Sequence, residues 1–319
     1  MTGEGIKAFG KSPHGVKGLG GNGQWVILFR MGNSVTGIFG VILGATLASR
    51  GFPQGEVAVI TFLHAFSVMT FMFSWNALND LLDVEIDRIN RPERPLPSGN
   101  IAIKSAKTGV AITGLSSILS LTAAGYVAWS GETGLSNWVP ALGIWGLALL
   151  LLFNYESASK LSLRMKEKGL PGNIAISLSV GLVIIFGAAG ASKPFDHAAW
   201  SAFLVGFLYN LSREIVKDIE DVHGDKGRTT FAMRAGLERS RFVAWVLLLA
   251  ALASILLPFV PDLEIFPPWN VVFVIPAMVS LLMVKQRLFS SEDHAAQQLI
   301  KRSMQLCLLA FFVISMIPT

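Results

Sequence analysis

Val57-Ala-Val-Ile-Thr-Phe-Leu-His64-Ala-Phe-Ser-Val-Met-Thr-Phe71-Met-Phe73-Ser-Trp75-Asn76-Ala-Leu-Asn79 runs for 23 residues without Asp, Glu, Lys or Arg, then meets Asp80-Leu-Leu-Asp83-Val-Glu85-Ile-Asp87. As a helix this run is about 34 Å long at 1.5 Å per residue, enough to cross the roughly 30 Å hydrocarbon layer of a bilayer. Nine charge-free runs of this kind recur, at 31–49, 57–79, 108–131, 133–155, 169–192, 197–212, 242–261, 265–284 and 303–319. The sixth and ninth are short and are expected to be extended by flanking residues. The runs are continuously apolar rather than alternating, which favours helices over barrel strands. Gly51-Phe52-Pro53, Gly131 to Gly134, Leu170-Pro171-Gly172 and Pro267-Pro268 punctuate the joins as turns. The expected fold is an all-α membrane protein of nine transmembrane helices.

Composition agrees. Of 319 residues, 52% are hydrophobic and 15% charged, with a mean hydropathy of +0.55, which excludes a soluble globule and a disordered chain. The lone Cys307 lies in an apolar run and excludes an intramolecular disulfide. The net charge of +5 would suggest nucleic acid in a soluble protein, but here the position of each cation carries the information. Of the 26 Lys and Arg residues, 24 fall in the N-terminal region and the even-to-odd loops, leaving Arg50 and Lys193 on the other side. The positive-inside rule then places the N terminus and these loops in the cytoplasm and the C terminus outside. The membrane explains the charge, and nucleic acid is not an expected partner. Residues 1–24 contain eight glycines and no apolar core of a signal peptide, so they are expected to form a flexible cytoplasmic tail ahead of a single transmembrane domain over 25–319.

Two acidic clusters lie on the cytoplasmic side. Asp80, Asp83 and Asp87 share one helical face, as do Asp218, Asp221 and Asp225, and the two sets are offset by a constant 138 residues. Such an echo suggests a duplicated helical unit with two aspartate-rich helix ends. Stacked carboxylates repel, so they need neutralising cations, either Lys and Arg or a hard ion such as Mg²⁺ that bridges carboxylates to phosphate. A channel vestibule or ion-coupled transporter would use acidic rings too, but the spans hold almost no ionisable groups at mid-membrane. His64 reads as a hydrogen-bonded core residue and His197 as interfacial.

At these residues the chain resembles the UbiA superfamily of intramembrane prenyltransferases. Asn79-Asp80-x-x-Asp83-x-x-x-Asp87 is similar to the family's first motif and is followed by its Arg-Pro-x-Arg-Pro-Leu-x-x-Gly at Arg91 to Gly99. Asp218-x-x-Asp221-x-x-x-Asp225 is similar to the second motif. Arg30-Met31-Gly-Asn33 is similar to the family's Arg-Pro-x-Asn, with Met31 where the family has proline. The resemblance implies a UbiA-type bundle and Mg²⁺ held by Asn79, Asp80, Asp83, Asp87, Asp218, Asp221 and Asp225. Its implied partners are an isoprenyl diphosphate donor, a lipid-like acceptor and membrane lipids. The run Arg213 to Asp225, with Gly172-Asn173 after a basic loop, looks most like the archaeal ether-lipid branch. That branch implies geranylgeranyl diphosphate as donor and geranylgeranylglyceryl phosphate as acceptor. Aromatic, quinone-precursor and chlorophyllide acceptors are the alternatives within the superfamily.

Arg30, Asn33, Arg88, Arg91, Arg94, Lys160, Arg213 and Arg228 are the expected substrate contacts, and Lys217 lies inside the second motif as a catalytic candidate. Tyr155 and Tyr209 are candidates for facing an allylic cation. Asp218, Glu214 and the departing diphosphate are alternative proton acceptors. The stretches 156–168 and 213–241 are long enough to act as lids.

Overall fold

A computed structural model of the protein describes residues 21–156, 161–222 and 229–317, and among them helix is the only regular secondary structure. The α-helices are α1 (Gly21–Leu28), α2 (Met31–Ser49), α3 (Gly55–Leu82), α4 (Val84–Asn90), α5 (Ile103–Ser130), α6 (Leu135–Glu156), α7 (Leu170–Gly190), α8 (His197–Glu220), α9 (Phe231–Ala235), α10 (Leu237–Leu256), α11 (Ile275–Phe289) and α12 (Asp293–Ser315). A 3₁₀ turn covers Met165–Lys168, and another, Pro268–Val274, leads into α11.

Eight of these segments are long and apolar enough to cross a membrane: α2, α3, α5, α6, α7, α10 with its 3₁₀ extension, α11 with its 3₁₀ lead, and α12. α8 is the exception to the expected nine. It continues past the charge-free stretch 197–212 through Arg213, Glu214, Lys217, Asp218 and Glu220, which lowers its apolar character. It remains in the bundle because α7, α10 and α12 surround it, so protein rather than lipid meets most of its surface. The stretch 213–241 is therefore not a plain loop: it holds the end of α8, α9 and the start of α10. α12 likewise gains ten residues before position 303.

Buried hydroxyls and glycines set the helix contacts. At the α2–α7 crossing, a Cβ on Gly44 would lie 1.8 Å from the Ile184 carbonyl oxygen, and one on Gly187 would lie 2.0 Å from that of Val41. Only glycine permits this approach, the small-residue packing that replaces the hydrophobic effect between membrane helices. α3 and α5 are joined by serines: Ser67 and Ser117 Oγ lie 3.0 Å apart, and Ser120 and Ser74 donate to the carbonyls of Leu63 and Val110 at 2.7 and 3.0 Å. His64 is fully buried, stacked on Phe186; its Nδ1 lies 3.2 Å from the Phe186 carbonyl and its Nε2 accepts from Trp138 Nε1 at 3.0 Å. These two bonds make it the packed core residue expected from sequence. Cys307 is also buried.

The C-terminal ends of α3, α6, α8 and α11 and the N-terminal ends of α2, α5, α7, α10 and α12 share one end of the bundle. The opposite end is tied by Arg50 on Asp196 (3.2 Å), Lys193 Nζ on the Ala48 carbonyl (2.9 Å) and the Glu56 carboxylate, which accepts the Glu132 N–H at 2.6 Å.

Candidate active site

The first motif forms where α3 gives way to α4. Asp83 interrupts the helix at φ −90°, ψ 3°, yet Asp83 N–H still donates to the Asn79 carbonyl (3.0 Å) and Asp87 N–H to that of Asp83 (2.8 Å). The helical register thus passes through the break. Asp80 and Asp87 are only 5% and 6% exposed, a costly place for carboxylates without cations. Arg94 supplies one, donating to Asp87 Oδ2 at 2.6 Å and approaching Asp80 Oδ1 at 3.4 Å. Arg30 supplies the other, its Nη2 donating to Asp80 Oδ1 at 2.7 Å.

Arg30 occupies the left-handed region, φ 47°, between α1 and α2. Non-glycine residues hold that conformation when surrounding contacts over-determine it. Here the Asp80 ion pair and the Asn76 Nδ2 bond to the neighbouring Phe29 carbonyl (3.1 Å) do so. The chain bends before α2 with Met31 in place of the family's proline.

A lysine that the sequence did not single out completes this half. Lys166, on the 3₁₀ turn before α7, donates to Asp83 Oδ2 at 2.9 Å and Asn79 Oδ1 at 3.2 Å and is in close ion pairing with Glu156 at the end of α6. The turn lies tight on α7: a Cβ on Gly172 would sit 2.5 Å from the Met165 carbonyl oxygen. Part of the stretch expected to be a lid is thus docked on the first motif.

The second motif is reached through the same segment. Asn173, in the first turn of α7, donates Nδ2 to Asp218 Oδ2 at 2.9 Å, and the Phe231 N–H opening α9 approaches the same oxygen at 3.3 Å. Burial pushes the Asp218 carboxyl up to about 6; the two hydrogen bonds and Lys217 act against this, and Glu214 adds to it. Asp221 forms the C-terminal cap residue of α8. Asp225 and Arg228 lie outside the described residues, as does Lys160.

The remaining expected contacts divide. Arg213 is engaged by Glu214 (3.0 Å) and Gln297 (3.1 Å), Lys217 lies 3.7 Å from Glu214, and Arg88 pairs with Glu85 at 2.8 Å. Arg91 and Asn33 are exposed, and Tyr155 is partly exposed at the end of α6. Tyr209 is fully buried in the core, its hydroxyl 2.8 Å from Ser303 Oγ, which in turn donates to the Ala277 carbonyl. That pairing ties α8 to α12 and α11 and shields the ring from any substrate in this conformation. Among the described residues no three Asp, Glu, His or Cys side chains converge closely enough to hold a metal ion. The convergent oxygens are instead those of Asn79, Asp83 and Glu156, gathered around the Lys166 ammonium. This set of hard oxygen donors around a positive charge fits a magnesium-type ion in chemistry.

The sequence pattern of the UbiA prenyltransferase family matches residues 37–312. A digeranylgeranylglyceryl phosphate synthase of Methanopyrus kandleri is 33% identical over 283 residues, covering 88% of this chain and 94% of that protein. One of Thermococcus kodakarensis is 30% identical over 290 residues, covering 89% and 94%. Among solved structures, one of a digeranylgeranylglyceryl phosphate synthase superposes with a TM-score of 0.70 at 27% identity, covering 93% of this chain and 99% of that one. A UbiA homolog from Archaeoglobus fulgidus bound to GPP and Mg²⁺ shares the fold, with a TM-score of 0.62 at 15% identity over 92% of this chain and all of that one.

Proposed function

The chain belongs to the UbiA prenyltransferase family, and from that premise we propose that it moves the geranylgeranyl group of geranylgeranyl diphosphate to the hydroxyl of geranylgeranylglyceryl phosphate in ether-lipid synthesis, with Mg²⁺ as cofactor. One observation carries the choice of acceptor: similarity to digeranylgeranylglyceryl phosphate synthases extends over nearly the full length of both chains. As an integral membrane protein it would meet both lipid-tailed substrates within the bilayer. The excess of cations at the motif end supports a cytoplasmic site, with the N terminus in and the C terminus out. Of the stretch 1–24 expected to be a tail, residues 21–24 belong to α1 and residues 1–20 lie outside the described residues; 25–319 would hold its one transmembrane domain.

Bound Mg²⁺ would neutralise diphosphate oxygens and so stabilise the leaving group as the allylic carbon–oxygen bond breaks. Asn79, Asp83 and Asp87 would hold it on one side and Asp221 and Asp225 on the other, with Asp80 and Asp218 orienting these ligands. Arg91, exposed beside the first motif, and Lys217, in the second, are suited to phosphate oxygens. The apolar spans exclude water, so the allylic cation meets the acceptor hydroxyl rather than a solvent molecule. Asp218, held by the Asn173 amide and the Phe231 N–H rather than by a cation, is the chain's own group proposed to receive that hydroxyl's proton.

The test is turnover of purified protein with labelled geranylgeranyl diphosphate and a panel of acceptors: geranylgeranylglyceryl phosphate, 4-hydroxybenzoate, a naphthoate and a chlorophyllide. Product is expected from the glycerol phosphate lipid, only with divalent metal. Preference for an aromatic or chlorophyllide acceptor would overturn the acceptor assignment.

A further inference from the structure

An ammonium group has three donor hydrogens, and around Lys166 three acceptors from separate parts of the site receive them: Asn79 Oδ1 on α3, Asp83 Oδ2 at the helix break and Glu156 Oε1 at the end of α6. The cage is enclosed, with the Lys166, Asp83 and Glu156 side chains 16%, 19% and 4% exposed. The backbone that delivers the lysine is fixed on both sides. Arg164 is left-handed at φ 47° and Gly169 has φ 72°, while Gly172 lets the turn rest on α7.

Two carboxylates and an amide oxygen around one positive charge are also a suitable set for a hard divalent cation, and two cations cannot share so small a space. We propose that Lys166 is the resident cation of the first motif, anchored by Glu156, and that a divalent metal enters the Asn79–Asp83 site only by displacing its ammonium. This rests on the proposed metal-dependent prenyl transfer and adds two residues to the site, Lys166 as its occupant in the metal-free state and Glu156 as the positioning residue that seats it. The consequence is ordered loading. Metal alone must compete with a tethered cation, whereas metal arriving with a diphosphate brings negative charge that gives the displaced ammonium a new partner.

The size of the effect follows from occupancy. If Lys166 fills the cage nine-tenths of the time, the apparent metal affinity falls about tenfold below that of the open cage. The experiment uses the full chain in lipid nanodiscs, with Mn²⁺ as the probe, titrated by electron paramagnetic resonance without diphosphate. At the first motif, read as the part of the titration lost with Asp83→Asn, Lys166→Met is expected to bind Mn²⁺ about tenfold more tightly than the wild type, and Lys166→Arg, which keeps the charge, to remain weak. In the wild type, labelling of Lys166 by an amine-reactive reagent, read by peptide mass spectrometry, is expected to rise when Mn²⁺ is added. Equal or weaker Mn²⁺ binding by Lys166→Met, or Lys166 labelling unchanged at saturating Mn²⁺, overturns the exchange. Turnover that persists without divalent metal overturns instead the metal-dependent mechanism beneath it.

Discussion

Arg94 is the residue whose loss should most clearly separate stability from chemistry. Its guanidinium reaches two carboxylates that are almost fully buried, at 2.6 Å from Asp87 and 3.4 Å from Asp80. Asp80 keeps Arg30 at 2.7 Å when Arg94 is removed, but among the described residues Arg94 is the cation paired with Asp87. Arg94→Gln therefore leaves one buried carboxylate uncompensated, a change of about 3–5 kcal/mol in comparable buried pairs. At about 2 °C per kcal/mol for a chain of this length, the apparent melting temperature should fall by roughly 6–10 °C. Asp87→Asn in the same protein removes the stranded charge and should restore at least half of that loss. The double variant should still fail to turn over, because a carboxylate assigned to the metal is gone. The assay is thermal unfolding followed by intrinsic tryptophan fluorescence in detergent, with turnover measured in parallel. A single variant within 2 °C of the wild type, or a double variant no more stable than the single, would refute the electrostatic account of the first motif.

Three further outcomes follow from other parts of the bundle. Gly187→Val should abolish monodisperse folded protein on size exclusion, since its Cβ alone would sit 2.0 Å from the Val41 carbonyl oxygen of the facing helix. Trp138→Phe should destabilise by about 1–3 kcal/mol, because it leaves His64 Nε2 buried without its donor, and normal thermal stability would show that the tryptophan bond is dispensable. Asp218 provides the pH test: a carboxyl raised to about 6 in the folded state stabilises most below its ordinary range near 4, and that contribution is lost as pH rises through 6. In chelator-treated protein the melting temperature of Asp218→Asn should therefore gain on the wild type between pH 4 and 7. A constant difference across that window would refute the burial argument.

What the sequence could disclose depended on how local each signal was. The span 31–49 matches α2 to the residue, because a charge-free run and a helix in lipid obey the same constraint. α8 was legible only to position 212, since its next turn is sheltered by three neighbouring helices rather than by lipid. Both aspartate sets were visible as a helical spacing, and Arg30 as part of a short motif. Lys166 was not: its partners Asn79 and Asp83 are 87 and 83 residues away, and a lysine in a basic loop carries no periodicity to mark it. Asn173 stands beside Gly172 in a recognisable pair, but its bond to Asp218 spans 45 residues and has no local signature.

The constant 138-residue offset suggests two equivalent halves, yet the chemistry around them differs. Asp80, Asp83 and Asp87 are each met by a cation, from Arg30, Arg94 and Lys166, so the first half is charge-compensated before any ligand arrives. Asp218 is met by neutral donors, the Asn173 amide and the Phe231 N–H, which hold its oxygen without cancelling its charge. A carboxylate stabilised by dipoles keeps its appetite for a cation, whereas one in an ion pair must first give up its partner. Asp218 should therefore engage a divalent ion more readily than the ion-paired carboxylates of the first motif. Mn²⁺ binding without diphosphate should then be weakened more by Asp218→Asn than by Asp83→Asn in the wild-type background. The order should even out once Lys166→Met has opened the first site. Equal losses in the wild-type background would mean that the sequence echo extends to the chemistry after all.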